Sequence, residues 1–233
     1  AIKTLNHEIL ANAQKLYEMY VQYFADANDA PEMQFYLAEL LWKRAEGEKV
    51  PGLVAQRWED AGVQHCKVVE MAKVEKDRLK TSAYACVLAY QNALNLNPAT
   101  NNPVVDTEKE LSEVPKPEPL ADIEGKMVAA IDMYLKYVND PKDDEFTEMK
   151  FNKAQVLWRH NHFDEAIPIL EEVLVARPDH QYAEVFANVL LDALNRSQRI
   201  KDLIAWTDRL LGMEKFLADK ADMRGDLEKI KRW

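Results

Sequence analysis

Apolar residues return at steps of three and four along most of the chain, the spacing that gathers them on one face of a helix. Near the start this spacing includes Leu5, Ile9, Leu16, Tyr20 and Phe24. No segment of convincing length alternates apolar and polar residues as a half-buried strand does. The chain is rich in Ala, Leu, Glu and Lys and has six glycines, a composition that favours helix. We therefore predict an all-α fold of about ten short helices, antiparallel to their neighbours.

Helix ends are predicted where Gly, Pro, Asn, Asp or Ser interrupt the apolar pattern. Five such interruptions occur, at 29–31, 47–52, 139–144, 177–179 and 195–199. Beyond the last of them, residues 217–230 form one further amphipathic segment. We interpret this segment as a helix that covers the end of the fold, with Trp233 as the last residue.

An internal repeat runs through the chain. The segment MQFYLAELLWKRA at 33–45 aligns with MKFNKAQVLWRHN at 149–161. Two shorter blocks recur in the same order, MYVQY from Met19 with MYLKY from Met133, and ALN from Ala93 with ALN from Ala193. We infer a duplicated unit that covers roughly 5–96 and 121–211. The identical pairs in the long block are Met33/Met149, Phe35/Phe151, Ala38/Ala154, Leu41/Leu157 and Trp42/Trp158.

The two copies are separated by a proline-rich acidic segment, residues 97–120, which contains five of the ten prolines. Proline lacks a backbone donor and disrupts helix interiors, so this segment is not regular helix. The alternation of Pro115, Pro117 and Pro119 favours an extended, polyproline-like backbone. We predict three parts: an N-terminal unit at 1–96, a linker or long loop at 97–120, and a C-terminal unit at 121–233. The linker is interpreted as a spacer, with partner docking as its alternative role.

Residues 151–179, FNKAQVLWRHNHFDEAIPILEEVLVARPD, resemble a tetratricopeptide repeat. That family stacks helix pairs, and the resemblance places Ala166 where the two helices of a pair cross closely. The other matching positions are the small Ala154, the large Leu157, the aromatic Phe163 that opens the second helix, and Leu170, Val173 and Pro178. The resemblance implies a right-handed solenoid of helix-turn-helix units with a capping C-terminal helix. The general pattern is also similar to bacterial cell-envelope tetratricopeptide proteins.

Three further segments resemble the same repeat less closely. Residues 32–70 match it through Ala38, Trp58 and Ala61, with an insertion of about 11 residues after Arg44 that we expect to lengthen one loop. Residues 181–211 form a degenerate third copy, and residues 79–96 resemble a first helix without its partner. Lys150 and Lys153 occupy positions that are usually apolar in the family, which suggests a rotated helix.

Several functional classes are disfavoured by the composition. A net charge of −10 and scattered basic residues argue against nucleic-acid binding. No run of about 18 uncharged apolar residues predicts a transmembrane span, and the first ten residues lack a signal-peptide layout. Because the sequence begins without Met, removal of a signal or anchor stays open. Cys66 and Cys86 are compatible with two thiols or with one disulfide, so the redox compartment stays open too.

Two polar clusters contain residue types that bind metal ions. The segment HNHFDE at 160–165 offers two imidazoles and two carboxylates, yet the repeat alignment places it at the turn between paired helices and the start of the second helix. The acidic segment NDPKDDE at 139–145 lacks the ligand spacing of a calcium loop and is interpreted as a turn. No nucleophile elbow, catalytic Cys-His motif or glycine-rich phosphate loop occurs. We therefore expect no metal, no cofactor and no catalytic residues.

The predicted function is a non-catalytic scaffold that binds a partner protein or peptide on a helical-repeat surface. The family pattern gives eight surface candidates, and each copy offers two aromatics beside a base. If the helices are rotated, the aromatics are instead ordinary core. The alternatives are a helical-solenoid enzyme of the lyase or transferase type and a structural subunit that assembles with itself. We favour the periplasm or cell envelope over the cytoplasm. The candidates are Phe35, Glu39, Trp42, Lys43, Phe151, Gln155, Trp158 and Arg159.

Overall fold

The computed structural model describes residues 2–71, 74–96, 113–138, 140, 142–218 and 220–232, with side chains described from residue 8. Within these residues the regular structure is all helical and includes no strand, which confirms the predicted all-α class. This part of the chain has eleven helices: α1 (Ile2–Tyr23), α2 (Ala30–Gly47), α3 (Pro51–Glu70), α4 (Lys76–Ala93), α5 (Asp122–Tyr137), α6 (Asp144–Arg159), α7 (Phe163–Ala176), α8 (Ala183–Arg196), α9 (Ile200–Leu211), α10 (Glu214–Leu217) and α11 (Ala221–Arg232).

Each of the five predicted interruptions falls at a boundary between two helices. Pro31 and Pro51 lie in the first turns of α2 and α3, where a missing backbone donor costs nothing. Three helices end in the same way, with one residue of positive φ followed by a residue whose N–H bonds to a carbonyl five positions back. The positive-φ residues are Asn95 after α4, Asn161 after α6 and Gln198 after α8. The bonds are Leu96 to Gln91 (3.0 Å), His162 to Leu157 (2.9 Å) and Arg199 to Leu194 (2.9 Å).

The first compact unit comprises Ala1–Leu96 and Asp122–Val138. Its helices pack in chain order, each on the next, from α1 to α5. Small residues allow α3 and α4 to approach closely, because a Cβ atom on Gly62 would lie 3.2 Å from the Cβ of Ala89. A disulfide between Cys66 and Cys86 also joins these two helices. A bridge that closes a loop of this length stabilises a fold by about 3 kcal/mol.

The second compact unit comprises Asn97–Ala121 and Asn139–Trp233. Within it α6 pairs with α7, α7 contacts α8, α8 pairs with α9, and α11 packs on α9. Leu227 of α11 is fully buried in the same core as Phe151, Leu190 and Leu210. The predicted closing segment at 217–230 therefore corresponds to the end of α10 and most of α11, whose apolar side covers the last helix pair.

Two expectations about the repeat are wrong. The insertion after Arg44 does not lengthen a loop: α2 continues four residues beyond Lys43, the counterpart of Arg159, and α3 begins seven residues before Trp58, the counterpart of Phe163. Apart from Gly47, Pro51 and Gly52 at the helix ends, the added residues are mostly good helix formers that extend both helices, so the connection stays short. The helix at 79–96 is not unpartnered either, because α5 packs against α4 and thereby joins the first compact unit.

The duplicated blocks differ in how closely the structure matches them. Ala38 and Ala154 are both fully buried, and Leu41 and Leu157 are both in the core. The MYxxY blocks lie in helices with different neighbours, since α1 packs on α2 whereas α5 packs on α4. The ALN match is out of register by three positions, because Asn95 has positive φ after α4 while Asn195 still lies inside α8.

Replacement of Ala166 by Leu should overpack the α6–α7 crossing and lower the free energy of unfolding by about 1–3 kcal/mol. Ala166 is fully buried, as is its counterpart Ala61 on α3, for which we expect the same loss. Urea unfolding measures both, and Val175→Leu at an exposed position of α7 is the control. An Ala166→Leu protein as stable as the parent would contradict the close crossing.

Candidate peptide-docking site

The corner between α6 and α7 is built by the segment that the sequence singled out as HNHFDE. His160 ends α6, Asn161 has a φ of 63°, and His162 precedes the first residue of α7. Asp164 and Glu165 lie in the first turn of α7, where carboxylates favour the positive end of the helix dipole. The structure thus places this segment at a helix-helix turn, as the repeat alignment predicted.

An extended part of the proline-rich segment is bound to this corner through its backbone. The N–H of Glu118 donates to the carbonyl of His160 at 2.8 Å. The carbonyl of Glu118 lies 2.8 Å from His162 Nε2, and the carbonyl of Lys116 accepts from Asn161 Nδ2 at 3.2 Å. The docked residues alternate with Pro115, Pro117 and Pro119, which favour the extended backbone that presents these groups. Residues 97–112 of the predicted linker lie outside the described residues.

The corner is connected to the two neighbouring helices by a polar network. Trp158 Nε1 donates to Asp192 Oδ2 at 2.7 Å, and Arg196 Nη1 lies 3.5 Å from the same oxygen. The other guanidinium nitrogen of Arg196 donates to Asn161 Oδ1. Asn161 in turn holds the carbonyl of Lys116. A continuous chain of hydrogen bonds therefore runs from α6 through α8 to the docked segment.

Burial shapes the electrostatics of this network. The guanidinium of Arg196 lies over the rings of Trp158 and Phe163, 5.6 Å and 5.0 Å from their centres. Burial raises the pKa of Asp192, although the bond from Trp158 and the charge of Arg196 oppose this change. Arg196 is held on one side by a carboxylate and on the other by two aromatic faces. It can therefore fix the amide of Asn161, which orients that side chain toward the segment.

His162 contacts two acceptor oxygens at once. Its Nδ1 is 3.2 Å from Glu165 Oε1, and its Nε2 is 2.8 Å from the carbonyl of Glu118. Both contacts are hydrogen bonds when both ring nitrogens carry protons. The role of this histidine in the structure is thus to bind backbone.

The four predicted surface residues of the second unit divide into two pairs. Phe151 is fully buried and packs against Phe186 with tilted rings whose centres are 4.4 Å apart, and Gln155 is also buried. These two side chains are core in this structure. Trp158 and Arg159 are partly exposed at the end of α6, immediately before His160, which binds the docked segment. The rotation suggested by Lys150 is consistent with this division, since Lys150 forms a surface ion pair with Glu172 at 2.5 Å.

The four predicted residues of the first unit are more accessible. Glu39 and Lys43 have side chains that are 43% and 67% exposed, and Lys43 pairs with Glu46 at 3.1 Å. Phe35 is half-buried, with the guanidinium of Arg78 5.6 Å from its ring centre. Trp42 packs edge-on against Trp58 at 4.9 Å and borders the core around Leu41 and Ala61.

The first unit lacks the network that holds the extended segment in the second. When α4 and α8 are aligned on their matching ends, Ala89 stands opposite Asp192 and Ala93 opposite Arg196. Without that carboxylate, Trp42 Nε1 donates to Glu46 of its own helix at 2.9 Å. Within the described parts of the chain, the docking corner is thus found in the second unit.

The hydrogen-bond network of the corner was not predicted from the sequence. The sequence pattern assigned Asn161 and His162 to a turn but did not connect them with Lys116, Glu118, Asp192 or Arg196. The available signal was the pairing of Asn161, a residue that tolerates positive φ, with two histidines immediately beside a helix end. The partner groups on the proline-rich segment are backbone atoms, which carry no residue-specific pattern.

Other polar clusters serve helix packing. Arg177 binds Asp144 Oδ1 at 2.5 Å and the carbonyl of Lys142 at 2.8 Å, which ties the α7–α8 connection to the start of α6. Asp143, from the acidic segment at 139–145, caps α6 by accepting from the N–H of Glu145; Asn139 and Pro141 of that segment lie outside the described residues. Among the described residues, no three His, Cys, Asp or Glu side chains are arranged to hold a metal ion.

A scan against protein-family models matches none of them, and a search of the curated proteins also gives no match. Among the described residues, no helix combines the length and the apolar character needed to cross a membrane.

In the first unit, His65 is fully buried between the predicted surface residues Phe35 and Trp42. Neither of its ring nitrogens has a hydrogen-bond partner among the described residues. Its Nε2 is 3.8 Å from Glu39 Oε1. Burial lowers the pKa of His65 to about 4. The unfolded chain, with a pKa near 6.5 at this residue, therefore binds the proton more readily than the folded chain.

The stability that depends on neutral His65 should be fully present above a pH of about 6.5 and lost as the pH falls toward about 4, by about 2–3 kcal/mol. His65→Gln should flatten this part of the profile, measured by urea unfolding of both proteins at a series of pH values. A variant with the same acid dependence as the parent would show that another group is responsible.

Glu118→Pro should release the docked segment, because proline removes the N–H that binds the carbonyl of His160. Glu118→Ala keeps that N–H and should leave the segment in place. A fluorophore on Val114→Cys, at an exposed position, reports the change as a fall in anisotropy in the proline variant only. Equal anisotropy in the proline and alanine variants would contradict recognition through the backbone.

Proposed function

We propose that this chain is a non-catalytic protein-interaction scaffold that binds an extended segment of a partner protein on its helical-repeat surface. The observation that carries the proposal is the α6–α7 corner, which holds Lys116 and Glu118 by their backbone groups. Backbone recognition accepts many side chains and requires an extended conformation, as in other modes of peptide binding. The corner thus offers the chemistry of a peptide site, with a segment of the same chain as its ligand.

The proposed architecture is a tetratricopeptide-like solenoid. Helix pairs that pack in chain order within each unit support it, as do the fully buried Ala38, Ala61, Ala154 and Ala166 at corresponding positions. In such a fold the first helices of successive pairs share one surface. Lys43 on α2 would be the base on such a surface of the first unit and Arg159 on α6 the base on that of the second, and we propose that each binds a carboxylate of the partner. Glu39, Trp42 and Trp158 would border them.

Four buried or half-buried titratable groups have pKa values displaced by helix packing, which favours binding over catalysis at these positions. Burial lowers the pKa of His65 and His180 and raises that of Glu148 and Asp192. His65 lies in the α2–α3 core. The carboxylate of Asp192 accepts a hydrogen bond from Trp158 and forms an ion pair with Arg196. His180 and Glu148 contact each other at 3.7 Å near the start of α6. Each displaced value thus has a cause in helix packing, whereas an enzyme of the lyase or transferase type would gather such groups in one pocket.

The compartment is proposed from the disulfide. A bridge between Cys66 and Cys86 persists in an oxidising environment and is rare in a reducing cytosol. We therefore propose the periplasm or cell envelope as its compartment, which its resemblance to bacterial envelope repeat proteins also favours.

The test is selection of peptides by the purified chain from a displayed library of short random peptides. Selected peptides should bind the double variant Lys43→Glu, Arg159→Glu about tenfold or more weakly than the parent, since each loses an attraction and gains a repulsion. The matched control is Lys201→Glu, Lys215→Glu, which changes the net charge equally at exposed sites on α9 and α10. Thermal melts should show that both double variants stay folded.

Failure to select any peptide would contradict the scaffold proposal. Peptides that bind the Lys43, Arg159 variant as tightly as the parent would instead exclude this surface. The affinity of the same peptides for the Glu118→Pro variant and for the parent would then decide whether they use the corner that this substitution vacates.

A further inference from the structure

The outer side of α1 carries an apolar stripe that faces solvent. Ile9, Leu16, Met19 and Tyr23 are 54%, 68%, 45% and 69% exposed, although large apolar side chains are usually buried. They follow one another at steps of seven, three and four, so they lie along one face of the helix. Phe24, directly after the end of α1, is 57% exposed as well and packs against the ring of Tyr20.

The opposite side of α1 is already used for packing on α2. Tyr17 and Val21 pack against the core cluster that contains Leu37 and Leu41. Arg44 of α2 donates to Gln14. The stripe is therefore a second apolar surface, which cannot turn inward without breaking the α1–α2 contact.

The width and composition of the stripe fit another helix better than a membrane. The stripe occupies two positions of each heptad, the pattern of a seam between two helices. Asn12 is exposed on the same spacing between Ile9 and Leu16. Helices that lie on anionic membranes carry many bases on the polar side, whereas α1 has only Lys3 and Lys15 against Glu8 and Glu18.

The charges beside the stripe are complementary to those of a second, antiparallel copy of α1. Glu8 and Lys15 are both exposed and flank the stripe on the same edge, one heptad apart. When two such helices meet antiparallel, residues on this edge face each other across the seam. In the alignment that sets Ile9 of one helix level with Asn12 of the other, Glu8 of each copy reaches Lys15 of the other. A parallel pair would instead set this edge against the α2 side of the partner helix and form neither ion pair.

We propose that a second copy of this chain docks on the outer face of α1, through an antiparallel α1–α1 contact across a two-fold axis. The contact is isologous: the same residues serve both copies, and each ion pair occurs twice. This surface lies on α1 and is separate from the α6–α7 corner, so the proposal stands apart from the proposed peptide binding.

The test is the molar mass of the full chain by light scattering and sedimentation over a range of concentrations. The parent should be a dimer, and Leu16→Glu should weaken dimerisation about tenfold or more. Ile204→Glu, at an exposed apolar position of α9, is the matched control and should leave the dimer intact. Circular dichroism confirms that each variant is folded.

Charge reversal distinguishes a second copy from any other cause of association. Glu8→Lys alone and Lys15→Glu alone should each weaken the dimer, because like charges then meet twice. The double variant Glu8→Lys, Lys15→Glu should restore it, since both ion pairs return with reversed sign. A parent that is monomeric up to its solubility limit, or a double variant weaker than both single variants, would overturn the proposal.

Discussion

The fold depends on the close approach of consecutive helices at positions where the side chain is no larger than a methyl group. Ala38, Ala61, Ala154 and Ala166 are fully buried, and Gly62 faces Ala89 at a distance that leaves little room for a methyl group. Such contacts let neighbouring backbones pack along their length and bury the larger apolar residues on either side. The short connections between helices follow from the same constraint, because the ends of closely packed antiparallel helices lie near each other.

The indole N–H of a half-buried tryptophan has a different acceptor in each of the two units. Trp158 donates to a carboxylate on α8, whereas Trp42 donates to Glu46 on its own helix. In the second unit the same carboxylate also contacts Arg196, which donates to Asn161. The packing of the tryptophan therefore also orients a side chain that binds backbone. One duplicated aromatic position thus has two surroundings, and only one of them leads to a docked segment.

Much of the fold could be predicted from the sequence because it rests on local signals. The helix boundaries follow from proline, glycine and asparagine, and the buried alanines follow from the repeat. What could not be predicted depends on contacts between distant residues. The position of α5 against α4 is one case, since Asp122–Tyr137 follows a long proline-rich segment and its sequence copy α1 has another neighbour. The burial of Phe151 is another, because it depends on Phe186 of a different helix pair, and the same residue type at Phe35 is only half-buried.

The lengthened α2–α3 pair has a practical consequence. Four added residues on α2 and seven on α3 correspond to about 6 Å and 10 Å of helix, and the turn between them exposes Val50 and Leu53. A Cβ atom built on Gly47 or Gly52 would meet nothing within 4 Å, so the tip is surrounded by open space. An epitope or a fluorescent reporter inserted at Lys49 would break the bonds of the Lys49 and Val50 N–H groups to Glu48 but would leave the buried contacts between α2 and α3 in place.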